Sequence, residues 1–191
     1  MKGLYDLFMI PLEKSGIRNS RIKLIKEAKG SVLEIGSGTG ANLPYYNFDL
    51  IEKLVLSDKT ISKRLNPTND KTEVLEVNTE ELPFDDNSFD YVIGTLVFCS
   101  VNNVDKGLSE ILRVLKDEGT YIYIEHVLPQ TRFLSRMFNF INPLWKRVAG
   151  GCNLNREFLD ALTNSGFSLT NKNTFGKKIF VSGLAKRITC N

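Results

Sequence analysis

The sequence predicts an α/β fold, an open and mostly parallel sheet with helices on both faces. Three observations carry this prediction. An apolar run ends in a glycine-rich turn at residues 31–41, SVLEIGSGTGA, the form of a strand feeding a helix at the switch point of such a sheet. Stretches with strand character then alternate with stretches of helical spacing along the chain. Residues 89–99 are mostly apolar, as expected of a central strand covered on both faces.

Length and composition agree with this class. The 191 residues, 42% of them hydrophobic, suit one domain over 1–191 with a sizeable core. A net charge of +3 gives no ground for a nucleic-acid partner. Cys99, Cys152 and Cys190 are far apart and one histidine is too few for a zinc site, so no metal is expected and the cysteines read as reduced thiols. No apolar run is long enough to span a membrane, and Asp6, Glu13 and Lys14 interrupt the N-terminal apolar residues. Neither a transmembrane helix nor a signal peptide is expected, which places the chain in the cytoplasm.

The elements follow in order. Residues 1–29 form an N-terminal helical cap. Within it, residues 5–12 are apolar and aromatic and broken by Pro11; they serve either as core packing or as a pocket wall with Tyr5 near the ligand. The spacing of Ile17, Arg21-Ile22, Leu24-Ile25 and Ala28 predicts a helix closed by Gly30. After the first strand, Gly36, Gly38 and Gly40 let the backbone turn tightly and approach a ligand, and a helix is expected to start near residues 39–42. The second strand, 53–58, ends on Asp58. A carboxylate there can accept both hydroxyls of a ribose, or cap a short helix over 59–65. Residues 73–77 alternate like a third strand, 89–99 form the fourth, and 121–127 the fifth. Between the last two, Leu108, Ile111, Leu112 and Leu115 mark an amphipathic helix over 102–116. Cys99 reads as a small buried hydrophobe rather than a nucleophile, since no base stands near it in the sequence.

His126, the sole histidine, falls at the C-terminal end of the fifth strand, the side on which open α/β sheets bind ligands. It is either a base toward an acceptor or a structural histidine. Residues 128–153 then interrupt the alternation with an insert that is both apolar (Phe133, Leu134, Met137, Phe138, Phe140, Ile141, Leu144, Trp145) and basic (Arg132, Arg136, Lys146, Arg147). Three roles stand open for it: a lid over an acceptor pocket, a peripheral contact with an anionic membrane through 132–148, or plain packing. Asn155 is placed to cap a helix over 156–164 that Gly166 closes. Strands at 168–174 and 178–185 end the chain as an antiparallel hairpin.

The glycine turn admits two ligands. Gly36-x-Gly38-x-x-Ala41 with Asp58 fits the loose dinucleotide pattern. Glu34, two residues before the first glycine, would instead repel a pyrophosphate and sit near an amino group. The run E-x-G-x-G-x-G resembles the first motif of the class I S-adenosylmethionine-dependent methyltransferases. Residues 78–92, NTEELPFDDNSFDYV, resemble that family's (D)AExLPFxDxSFDxV segment, and LRVLKDEGTYIYIEH resembles its following helix and strand. There are two departures. Asn78 replaces the acid that bonds the adenine amino group, although its amide oxygen can accept the same bond. Asp117-Glu118-Gly119 replaces the usual Pro-Gly-Gly. The stretches GANLPYY, TLVFCSV, EHV and PLWKRVAGGCNLNRE narrow the resemblance. They look like small bacterial methyltransferases often labelled phospholipid or quinone methyltransferases, and like the methyltransferase-like-seven proteins, which methylate alkyl thiols.

The resemblance implies a Rossmann-like sheet of seven strands in the order 3-2-1-4-5-7-6, with S-adenosylmethionine as cofactor. It assigns Glu34, Gly36, Ser37, Gly38, Gly40, Asp58, Lys59, Asn78, Thr79 and Thr95 to the cofactor and makes His126 the candidate catalytic residue. The reaction it implies is methyl transfer to a small hydrophobic acceptor, a thiol first, with O- or N-methylation of a quinone, phenol or lipid as the alternative. Such a displacement rests mainly on positioning. A regulator that binds the cofactor without turnover is the non-enzymatic alternative. Glu34 and the Leu-Pro-Phe segment disfavour a nicotinamide oxidoreductase.

Overall fold

In the computed structural model, which describes residues 16–188, seven strands form one sheet in the order β3-β2-β1-β4-β5-β7-β6. The strands are β1 (Gly30–Ile35), β2 (Ile51–Asp58), β3 (Thr72–Glu76), β4 (Phe89–Thr95), β5 (Leu115–His126), β6 (Phe167–Phe175) and β7 (Phe180–Arg187). The first five run parallel and β7 antiparallel to β5, so the final hairpin is inserted with His126 opposite Phe180. The expected order and the mixed sheet are both present. The segment 5–12 with Tyr5, and Cys190, lie outside the described residues.

Burial explains the layering. Val32, Leu33 and Ile35 of β1 are fully buried, as are Ile122 and Ile124 of β5, because the sheet is covered on both sides. One face packs under α1 (Arg18–Leu24) and the residues flanking it, through Ile17, Leu24, Ile25 and Ala28 against Val32, Leu54, Ile93 and Ile122. The other packs under α2 (Val104–Val114) and α4 (Phe158–Asn164), through Leu108, Ile111, Phe158 and Leu162 against Leu33, Val92 and Tyr123. The insert carries α3 (Arg132–Val148), none of whose side chains is fully buried.

Several boundaries differ from expectation, each for a physical reason. The glycine turn does not lead into an α-helix; it continues in turns and one 3-10 turn, Leu43–Tyr45, with Pro44 at its start. The connection to β2 is short, and the proline removes a backbone donor that a longer helix would need. No helix forms over 59–65 either; Asp58 gives one carboxylate oxygen to Gly38 N of the glycine loop and the other to Thr60 N in a local turn. The helix at 18–24 passes into a 3-10 turn at Ile25–Glu27. Gly30 is the first residue of β1 rather than the end of that helix; its φ is +66° and the Asp90 carboxylate stands 2.5 Å from where a Cβ would be, so only glycine fits. Asn155 bonds Asn139 rather than capping α4, and Glu157 takes the cap position without a side-chain bond.

Candidate active site

The parallel strands end together, and their C-terminal ends build the site. β1 delivers the glycine loop. Gly36, at φ +61°, leaves room for Val97, whose Cγ2 would lie 2.5 Å from an added Cβ. A side chain there would push the β4 loop away, so only glycine fits. Gly38, at φ +55°, has no side chain near its Cβ position, and its N–H donates to Asp58 Oδ2 at 2.9 Å. Asp58 Oδ1 accepts from Thr60 N at 3.2 Å. Each carboxylate oxygen keeps a second lone pair for a ligand hydroxyl.

A cleft of about 170 Å³ opens here, lined by Gly36, Asp58, Lys59, Asn78, Thr79 and Val97 among others. Asn78 is exposed, and its Oδ1 accepts from Glu80 N at 3.2 Å, which leaves one acceptor direction open. Glu80 reaches across to Asn102 N at 3.0 Å and joins the two walls. Ser37 is buried and donates its N–H to Ser57 O at 2.9 Å, while its hydroxyl finds no partner among the described residues. The glycine loop, the Asp58 oxygens and the Asn78 amide oxygen match the close approach, ribose and adenine edge that S-adenosylmethionine presents. Two acids, Asp58 and Glu80, face one cation, Lys59, in this cleft, an arrangement unfavourable to a pyrophosphate.

Gly40 and Glu34 act behind the cleft. A Cβ on Gly40 would meet Leu43 and Leu65. Glu34 does not line the cleft; it is buried, accepting from Tyr46 Oη and from Asn42 Nδ2 at 3.0 Å. Asn42 also donates to Thr95 Oγ1 at 3.1 Å and accepts from Arg21 Nη1. Burial raises the Glu34 carboxyl to about 7 against these hydrogen bonds. Arg21, Asn42 and Tyr46 were not singled out from the sequence. Arg21 carried a signal, a charge at i+4 from Ile17 on the apolar spacing of its helix.

Strand alternation places Glu34, Thr95 and His126 on one face, that of Ile93 and Ile124. His126 stacks on Phe138 of α3 with ring centres 5.8 Å apart and meets Phe180 edge-on at 5.6 Å. This apolar enclosure lowers its pKa to about 4, and its Nδ1 has no partner among the described residues. Phe138 is thus the insert's contact with the strand that carries the candidate base.

Glu125, on the opposite face, was missed in the sequence, although an acid inside so apolar a strand is itself a signal. Its Oε1 accepts from Val97 N at 3.0 Å and Phe98 N at 3.2 Å, fixing the loop that walls the cleft. Burial raises it to about 8. Below it, Asn153 N and Nδ2 donate to Cys99 O at 2.7 and 2.8 Å and bring Cys152 beside Cys99. Both cysteines are free, and the hydrogen bond between the two thiols, then burial, pushes Cys99 up. The same bond, aided by Trp145, lowers Cys152 to about 7. Cys99 is therefore the buried, unreactive member, as expected, but it is paired.

A larger groove of about 1200 Å³ lies at the other end of the strands, lined by Lys23, Lys26, Gly30, Asp90 and Lys116 among others. It is far from the glycine loop and on the side where open parallel sheets do not place their ligands.

Residues 33–123 match the family model for a methyltransferase domain. The human thiol S-methyltransferase TMT1A is 32% identical over 154 residues, covering 73% of this chain and 61% of its own length. The ubiquinone/menaquinone biosynthesis C-methyltransferase of Rickettsia bellii is 31% identical over 156 residues, covering 79% of this chain and 58% of its own. The chain therefore spans less than two thirds of these relatives. An S-adenosylmethionine-dependent methyltransferase structure from Thermotoga maritima, 20% identical, superposes with a TM-score of 0.68 over 98% of this chain and 96% of its own, which establishes the shared fold. With the sheet order, the glycine loop, the cleft and the sequence match in agreement, the chain carries a methyltransferase domain match over residues 33–123 on the fold of the class I S-adenosylmethionine-dependent methyltransferases.

Proposed function

We propose that the chain transfers the methyl group of S-adenosylmethionine to a small hydrophobic acceptor, a thiol before all others. The observation that carries this is the aromatic enclosure of His126. Phe138 and Phe180 flank the imidazole, and burial leaves it neutral at physiological pH with a pKa of about 4. So weak a base is poorly matched to taking a proton from an alcohol. A thiol, with an ordinary pKa of about 8.5, brings its own thiolate fraction. When bound, the cofactor supplies an electrophilic methyl group on a sulfonium. The chain's residues do the rest: Asp58 and Asn78 hold the nucleoside, the glycine loop lets it approach, and Phe138, Phe180 and His126 bound the acceptor side and exclude water.

The human relative, a thiol S-methyltransferase, supports the thiol reading, whereas the Rickettsia relative, a C-methyltransferase of quinone biosynthesis, stands with the alternative of a quinone. The test is a panel of thiols, phenols, quinones, amines and lipids with labelled cofactor, the product read by mass. The expected result is S-methylation of a hydrophobic thiol as the fastest reaction. A faster amine or alcohol, or a preference for a highly charged acceptor, would overturn the thiol reading. Binding of cofactor with no product from any acceptor would leave a regulator in its place.

A further inference from the structure

The exposed large hydrophobic side chains of the described surface are concentrated on one helix. Phe140 is 86% exposed, Phe133 78% and Leu144 66%, and Met137, Ile141 and Val148 are exposed beside them. Their spacing at three and four residues puts all six on one face of α3. Leu134, Phe138 and Trp145 turn the other way and are half-buried. A contiguous patch of this kind on a soluble domain marks an interaction surface rather than ordinary scatter.

The charges say what kind. Arg136 and Arg147 border the apolar stripe on one side, with Arg132 and Lys146 next to them, all exposed. No acid occurs anywhere in residues 126–156, and none of these four cations pairs with an acid among the described residues. A second copy packed on the same face would set like charge against like charge. An anionic bilayer meets both demands, since its headgroups face the cations while its acyl chains receive the phenylalanines. The helix is suited to lie on such a surface and not to cross it. It has 17 residues with Pro143 inside, and no described helix is long and apolar enough to span a membrane.

We propose that the exposed face of α3 docks on anionic lipid and draws the hydrophobic acceptor from the bilayer. The same helix presents Phe138 to His126 on its inner side, so an acceptor leaving the membrane along α3 arrives at the wall of the site. The acceptor half of this statement rests on the function proposed above. The docking half does not, and its test involves no methyl transfer.

The full chain is mixed with vesicles of phosphatidylcholine alone, or of phosphatidylcholine with phosphatidylglycerol, and sedimented. Binding is expected to the mixed vesicles and to weaken with salt. Phe133→Ser with Phe140→Ser should bind at least about tenfold less tightly, since burying each phenylalanine contributes that much or more. Arg132→Gln with Arg136→Gln should lose the preference for anionic lipid. Both pairs are exposed and leave the core intact, which the thermal melt checks. A Phe140→Trp reporter should be quenched freely by aqueous iodide without lipid and be shielded when vesicles are added. No binding to the mixed vesicles, or equal binding by the Phe→Ser variant, would overturn the proposal. So would a reporter already shielded in lipid-free protein, which would mean that the chain itself or a second copy covers the face. Failure on any of these leaves the methyl-transfer reading standing, because none of them measures turnover.

Discussion

Glu34 and Glu125 each hold a backbone segment of the site rather than facing its cleft. Glu34 gathers Asn42 and Tyr46 behind the glycine loop, and Glu125 holds the Val97 and Phe98 amides. Burial raises both carboxyls, Glu34 to about 7 and Glu125 to about 8. A raised acid keeps its proton in the folded state while the unfolded chain ionises. The stabilisation from each is fully present below the ordinary value of 4.5 and is lost as pH rises, through about 7 for Glu34 and about 8 for Glu125. Glu125→Gln keeps an acceptor oxygen for both amides and removes the ionisation. Its melting temperature relative to the parent should therefore rise steadily between pH 5 and pH 8. Parallel pH curves for the two proteins would show that Glu125 is not buried as a proton-bearing acid.

At the scale of elements, the proposed function puts the two substrates on different elements. Phe138 of α3 touches His126, the side proposed for the acceptor, whereas the candidate cofactor cleft is lined by the loops after β1, β2, β3 and β4. Phe138→Ala should raise the acceptor's KM on the order of tenfold and leave cofactor affinity unchanged, because the lost stacking contact serves one substrate only. Steady-state kinetics against binding of cofactor alone separates the two effects. The helix itself was legible, since 132–148 falls inside the insert marked by its apolar and basic residues. The sheet was legible too, from apolar runs ending at glycines or polar turns. What escaped was whatever depends on a partner distant in sequence. The helix expected near residue 39 gave way to turns because Pro44 and the short reach to β2 outweigh local propensity. Arg21, counted with an apolar stripe, is the buried donor to Asn42, and Cys152 meets Cys99 only because Asn153 bonds the Cys99 carbonyl. Neither pairing has a local pattern.

Taken whole, the molecule gathers its chemistry at one edge. Five parallel strands end side by side, and their last residues and following loops supply the glycine turn, Asp58, Asn78, the Val97 wall and His126. The antiparallel β7 adds Phe180 opposite His126. This convergence is the reason to place the methyl donor at the glycine-loop cleft rather than in the larger groove at the opposite end. Calorimetric titration with S-adenosylmethionine, on the parent chain and on Asp58→Ala, tests that placement most directly. Saturable one-site binding to the parent is expected. In Asp58→Ala both the Gly38 amide and the ribose lose an acceptor, a loss of about 1–3 kcal/mol, so binding should weaken by on the order of tenfold or more. Equal affinity in the two proteins, or no saturable binding at millimolar cofactor, would contradict it.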